Sequence, residues 1–222
     1  MLVLALDTSA DIAVALVRDG VALAVRTATE QRRHAELLSP LITEVFAEAG
    51  LRPREIDAVA VGTGPAPFTG LRAGLVTARA LGFATGVPVH GVGSLEVLAA
   101  QAFDTGAEGD VLVVTDARRK EVYAGWFRAS AHEGDVEATG NEDVVHPADL
   151  ERRGAAVLVG PTAASLSEVV GLPASGPTSL DPVVLARLAV ARAARGVDQP
   201  TEPLYLRRPD AVPPGARKRA TG

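Results

Sequence analysis

The apolar side chains of the first fifty residues change their spacing once, from strand period to helix period, and this change restricts the chain to an α/β fold. Val3 to Leu6 is a short apolar run that ends at the polar triplet Asp7-Thr8-Ser9, as a buried strand does on entering a turn. Ile12 to Val17 and Val21 to Val25 are two more β-rich runs. Between them Asp19-Gly20 is a two-residue hairpin turn, because both residues tolerate positive φ. A three-stranded meander is expected. Then Leu37, Leu38, Leu41, Ile42, Val45 and Phe46 recur at helical spacing, with Gly50 as a stop signal and Pro53 just beyond. The pattern predicts a helix from His34 to Ala49, kinked but not broken at Pro40, which deletes one backbone donor near the second turn.

The alternation continues. Ala58 to Val61 reads as a strand, Gly62 to Gly70 as a glycine- and proline-rich loop, Leu71 to Ala84 as a second helix and Val87 to Val92 as a strand. Ser94 is placed to cap a third helix through Ala102. The order is βββαβαβα. Beyond a linker at 104–110 the order is echoed less completely. Strands are expected at Val111 to Thr115 and Glu121 to Phe127, joined by the hairpin Asp116-Ala117-Arg118-Arg119-Lys120. A short helix should start at Pro147, a strand at Ala156 and a helix at Asp181-Pro182, running to Arg195. The repeat is one of element order, not of sequence. It divides the chain into an N-terminal lobe (1–103), a smaller C-terminal lobe (110–205) and a tail (206–222).

With 222 residues, 47% hydrophobic but only 4% aromatic, the chain can bury a core built from Ala, Val and Leu. It has no cysteine, which excludes disulfides, thiolate metal sites and cysteine nucleophiles together. Asp7 follows the first apolar run at once, so no signal peptide is expected. No stretch approaches the roughly 18 apolar residues of a membrane span. A cytoplasmic protein without membrane contact fits these facts. A formal net charge of -5 disfavours strong nucleic-acid binding by the chain as a whole. The exception is local: Arg207-Arg208 and Arg217-Lys218-Arg219 form either a solvated tail or a weak contact to RNA or an acidic partner.

Catalytic signals are scarce. The histidines are His34, His90, His132 and His146, and no two are four apart, so no helix presents a pair to one metal ion. His34 suits capping or solvent, and His90, on a strand, suits a satisfied place in the core. No Gly-x-Ser-x-Gly occurs. The loop from Gly62 to Arg72 joins strand to helix, where backbone N–H groups can hold an anion. It lacks the Lys of a P-loop, and Pro65 and Pro67 remove two donors. Either it is a degraded anion site or a rigid turn that aims the second helix. No cofactor and no metal are expected.

In the second helix Gly70, Gly74, Ala78 and Gly82 fall on one ridge at four-residue spacing. An interior helical glycine costs up to about 1 kcal/mol relative to alanine, so two of them on one face need a reason. A bare ridge permits close approach, either of the protein's own sheet and first helix or of a partner.

These residues together resemble a known family. Leu4-Ala5-Leu6-Asp7-Thr8-Ser9, His34 to Leu41, Gly62 to Gly74 with Phe68-Thr69-Gly70-Leu71-Arg72, Asp116-Ala117-Arg118 before Glu121-Val122-Tyr123, and Pro203-Leu204-Tyr205-Leu206-Arg207 are similar, in this order, to motifs of the TsaB (YeaZ-like) family. The resemblance implies an actin-like (ASKHA, ribonuclease H-like) α/β fold of two lobes, each on a mixed five-stranded type of sheet with helices, the second lobe degenerate. It implies a non-catalytic scaffold in the formation of threonylcarbamoyladenosine in tRNA, bound to the catalytic paralogue TsaD, with the ATPase TsaE as a third component. It also implies self-association when TsaD is absent, and contact with tRNA only through the complex. The partner surface it implies comprises Leu37, Leu38, Leu41 and Val45 on the first helix and Leu71, Gly74, Leu75, Ala78 and Gly82 on the second. Asp7, Thr8 and Ser9 resemble the phosphate-facing turn of actin-like ATPases and stand as a weak nucleotide contact. The chain departs from the family at Thr63 and Ala66-Pro67, where an arginine and a Gly-Ser are usual. Two other readings are an actin-like small-molecule kinase and a glycoprotease-like metallopeptidase.

Overall fold

The computed structural model describes residues 1–29 and 34–207, without the side chains of His34 and Ala35. The expected capping by His34, and nearly all of the basic tail, therefore lie outside the described residues.

The first lobe follows the expected order: β1 (Leu2–Asp7), β2 (Ile12–Arg18), β3 (Val21–Ala28), α1 (His34–Ala49), β4 (Ala58–Gly62), α2 (Phe68–Thr85), β5 (Val89–Val92) and α3 (Ser94–Asp104). Asp19 and Gly20 take φ of 50° and 81°, so the meander turns where the dipeptide predicts. The sheet runs β3-β2-β1-β4-β5, antiparallel through the meander and parallel from β1 to β4 to β5. Helix α1 passes through Pro40 unbroken.

The second lobe contains β6 (Val111–Asp116), β7 (Val122–Ala129), β8 (Val136–Ala138), β9 (Asp143–Val145), β10 (Val157–Val159), α4 (Ala163–Val170) and α5 (Pro182–Ala194). Its sheet runs β10-β6-β7-β8, with β9 also on β7. This is the order of the first sheet in reduced form. The third strand is split into β8 and β9, and the fifth shrinks to a single parallel bridge between Leu158 and Ala174. The fold is thus the actin-like α/β arrangement of two mixed sheets with a degenerate second lobe.

The layers explain why so few aromatic residues suffice. Helices α1 and α2 cover the outer face of the first sheet through Leu38, Ile42, Val45, Phe46, Leu71 and Leu75. Helices α3 and α5 lie between the sheets: α5 packs on β1, β2, β4 and β5, and α3 on β6 and β7. Each lobe's last helix therefore covers the other lobe's sheet. Helix α4 closes the far side of the second sheet. Small residues such as Ala5, Ala15, Ala58, Ala60 and Ala189 line the central layer and let sheet and helix approach closely. Asp181 caps α5, its carboxylate accepting from the Val183 N–H at 2.8 Å. Among the described residues no helix is long and apolar enough to cross a membrane.

A charged clamp ties the central layer. Arg192 on α5 donates to Glu96 on α3 at 2.6 Å and to Asp135 beside β8 at 2.7 Å, and Arg195 also pairs with Asp135. Beside the clamp, burial and the negative charge of Glu96 push the Glu142 carboxyl up to about 8, and its Oε2 has no hydrogen-bond partner. An unfolded glutamate ionises near ~4.3, so stability falls as pH rises between the two values. Glu142→Gln removes the titration and keeps the shape. The variant should melt with the wild type near pH 4.5 and several degrees above it at pH 8.5. Parallel melting curves across that range would show that the carboxyl ionises freely in the fold.

Candidate functional site

The polar triplet after β1 is spent inside the lobe. Asp7, 1% exposed, accepts from the Ser94 hydroxyl at 2.6 Å through Oδ2, and from the Ser9 N–H and hydroxyl at 2.7 and 2.5 Å through Oδ1. The Gly64 N–H donates in turn to Ser94 Oγ at 3.2 Å, and the Thr8 hydroxyl donates to the Gly70 carbonyl at 2.8 Å. Ser94 is therefore a strut between β1 and α3, not the expected helix cap; Gly93 holds the N-cap position. A serine cap must point back at its own helix, whereas this hydroxyl finds a carboxylate 87 residues away.

The glycine- and proline-rich loop is equally committed. Its Thr63 N–H donates to the Val92 carbonyl, its Gly64 carbonyl accepts from the Ser94 N–H, and its Thr63 carbonyl accepts from the Leu204 N–H. These bonds fix it between β5, α3 and the C-terminal segment, which favours the rigid-turn reading. Between the lobes lies a cleft of about 510 Å³, with Thr8, Ser9 and Asp11 on one wall, Asp116 and Arg118 on the other, and Phe68 at its edge. Thr8 and Ser9 thus reach the cleft, but the Asp7 carboxylate is engaged beneath it.

Helix α2 places its small residues inward. A Cβ on Gly74 would meet Thr8 Oγ1 at 2.3 Å, and one on Gly82 would meet Val89 Cγ2 at 2.3 Å. Leu71, Leu75 and Ala78 are buried on the same arc. The bare ridge therefore packs on the protein's own sheet, and these five residues are buried within the chain. On α1, Leu38 and Val45 are buried as well, and Leu37 and Leu41 are half-buried against the same core. On the free chain the expected stripe faces inward, onto the apolar outer face that β1, β2 and β4 present through Leu4, Leu6, Leu16, Val59 and Val61.

The outward arc of α2 carries a different set. Phe83 is 93% exposed and Val76 is 65% exposed. They stand two turns apart on one face, with Arg72 and Arg79 beside them. The signal was present in the sequence as an apolar pair out of phase with the buried ridge, and only the phase of the ridge makes it legible.

The segment after α5 straps the lobes together. The Gly91 N–H donates to the Gln199 carbonyl, Arg79 donates to the Thr201 hydroxyl at 2.8 Å, and Tyr205 stacks on Phe68 at 5.2 Å. Arg72 sits 3.6 Å over the Phe68 ring and donates to the Tyr205 hydroxyl at 2.7 Å. Arg207 then reaches the second lobe, donating to the Ala117 carbonyl at 3.0 Å and pairing with Glu121. His90 lies half-buried on β5 beside Gln199, and burial lowers its pKa. Among the described residues no three His, Asp or Glu side chains stand together as a metal site.

A family described as "TsaD: tRNA N6-adenosine threonylcarbamoyltransferase" matches residues 25–177. A protein of Mycobacterium tuberculosis (strain ATCC 25618 / H37Rv), described as uncharacterized, is 41% identical over 216 residues, 95% of this chain and 94% of its own. The tRNA threonylcarbamoyladenosine biosynthesis protein TsaB of Escherichia coli (strain K12) is 31% identical over 165 residues, 72% of this chain and 71% of its own. The solved structure of YeaZ from Pseudomonas aeruginosa superposes with a TM-score of 0.78 at 32% identity, covering 92% of this chain and 99% of that one.

Proposed function

The chain belongs to the TsaB family, within the wider TsaD group, and from that premise we propose that it is a non-catalytic subunit in the formation of threonylcarbamoyladenosine in tRNA. Its role is to bind and support the catalytic subunit TsaD, with the ATPase TsaE as a third component, in the cytoplasm. The carrying observation is the exposed pair Val76 and Phe83 on a rigid helix. Large apolar side chains that a fold leaves outside its core on one face mark a partner surface. The interface therefore moves from the buried seam to the outward arc of α2, flanked by the exposed Ser39, Pro40 and Thr43 of α1. With TsaD absent, the same surface is expected to pair two copies of this chain.

Two features favour a supporting role over chemistry of its own. The Asp7 oxygens accept from Ser9 and Ser94 inside the lobe, so this carboxylate is engaged in holding the fold. The loop before α2 spends its backbone groups on the fold. Reconstitution tests the proposal. Threonylcarbamoyl transfer to tRNA by TsaD and TsaE should require this chain, and this chain alone should transfer nothing. Full activity without it, or transfer by it alone, would overturn the reading.

A further inference from the structure

We propose that the strap after α5 is part of the TsaD-binding surface, so that the partner covers Thr201 to Tyr205 together with the outward face of α2. The proposal rests on the functional reading above and extends its interface to a second segment. The strap runs antiparallel to α2 and is fastened along it. Arg79 donates to the Thr201 hydroxyl at 2.8 Å and to the Thr201 carbonyl at 2.7 Å, and lies 3.3 Å from Glu202. Two turns earlier in the helix, Arg72 donates to the Tyr205 hydroxyl at 2.7 Å, and Phe68 stacks on the Tyr205 ring. Both ends are fixed as well, Gln199 on Gly91 and Arg207 on Ala117 and Glu121. A segment held in this way loses little freedom when a partner covers it.

Helix geometry puts the exposed pair beside the strap. At about 100° per residue, Phe68, Arg79, Arg72, Phe83 and Val76 follow one another around a single arc of about 80°. The first three touch the strap, and Phe83 and Val76 come next. The buried arc from Gly74 to Leu75 lies on the other side of Phe68. Strap and exposed pair therefore form one continuous surface. The α1 flank offers it the small or polar Ser39, Pro40 and Thr43.

The strap flank offers what protein interfaces are anchored by, aromatic rings, arginine and aliphatic side chains. Arg72 sits 3.6 Å over the Phe68 ring, and Phe68 is 41% exposed. In Pro203-Leu204-Tyr205-Leu206-Arg207, Tyr205 packs on the core under α2 and Leu206 on the central layer. Leu204 is left 37% exposed, held there by its N–H on the Thr63 carbonyl. The size of the surface points the same way. An 18-residue helix is about 27 Å long and about 10 Å across, so one face of α2 offers roughly 270 Å² in projection. Each side of a specific interface buries roughly 800 Å². A strip laid alongside the helix supplies part of that difference with apolar and aromatic surface.

Hydrogen exchange of the full chain, alone and bound to TsaD, reads the footprint without any substitution. The amides from Thr201 to Tyr205 should slow together with those of α2 when TsaD is added. Leu204→Asp should weaken TsaD binding about tenfold or more. Unchanged exchange at 201–205 in the complex would overturn the proposal, and this reading holds even if Leu204→Asp destabilises the free chain. Wild-type affinity of a folded Leu204→Asp variant would overturn it too. So would protection that rises with the concentration of the free chain and gains nothing from TsaD, which would give the strap to a second copy. Val76→Asp/Phe83→Asp separates this proposal from the reading beneath it. If that variant loses TsaD while the wild-type strap stays unprotected, α2 remains in the interface and the strap alone has failed. If that variant binds TsaD like the wild type, the α2 surface on which both rest has failed.

Discussion

Val76→Asp/Phe83→Asp is expected to abolish binding to TsaD while leaving the free chain folded. Covering a fully exposed Phe or Val contributes about 1.5–3 kcal/mol each. A buried aspartate without a partner adds a further desolvation penalty. Even the lower sum of the two apolar contributions, about 3 kcal/mol, weakens association by more than about a hundredfold before the aspartate penalty is added. The fold should not respond, because Phe83 is 93% exposed and surface substitutions usually stay within about 0.5 kcal/mol. Calorimetric titration with TsaD, paired with thermal unfolding of the free variant, reads both quantities. Wild-type affinity in the double variant would remove α2 from the interface. The same substitutions should turn any homodimer into a monomer on sedimentation, since one surface is proposed to serve both contacts.

Gly62→Ala should melt about 6–12 °C below the wild type, the shift that a loss of roughly 3 kcal/mol brings in a chain of this size. A Cβ at Gly62 would stand 1.7 Å from Asp7 Oδ2, 2.7 Å from its Cγ and 2.9 Å from Ser94 Oγ. None of these atoms can retreat cheaply. Asp7 is nearly inaccessible to solvent and is bonded to Ser94 and Ser9, so displacing it unpairs a buried carboxylate. Gly74→Leu follows the same logic through Thr8 and should also lower the melting temperature, whatever it does to partner binding. Circular dichroism of the purified variants decides the matter, and a Gly62→Ala protein melting with the wild type would show that the knot around Asp7 is slack.

The four-residue ridge of α2 illustrates how far local pattern reaches. Spacing alone identified the helix and the arc that must be covered, since glycines at Gly74 and Gly82 cost helix stability whatever covers them. It could not say what does the covering, because a bare ridge suits a sheet and a second helix equally. Only the arrangement of β1 and β5 beneath it shows that Thr8 and Val89 fill the space. Ser94 is a parallel case: its position before an apolar helix satisfies the rule for a cap, and a carboxylate brought near by β1 outcompetes that local role.

By itself the sequence determined what depends on a few consecutive residues: the meander turned at Asp19-Gly20, the first two helices, the cap at Asp181 and the order of elements that marks an actin-like chain. Tertiary structure alone decided what depends on residues far apart. It exchanged α3 and α5 between the sheets, joined Glu96 and Asp135 through Arg192, led the strap from Gln199 to Arg207 across both lobes and forced Arg118 to Lys120 into the left-handed region. The physical reason is the range of the forces that choose. Period, turn chemistry and capping act within about one or two turns of chain, whereas burial and pairing act between whatever surfaces chain closure brings together, and no local pattern records that closure.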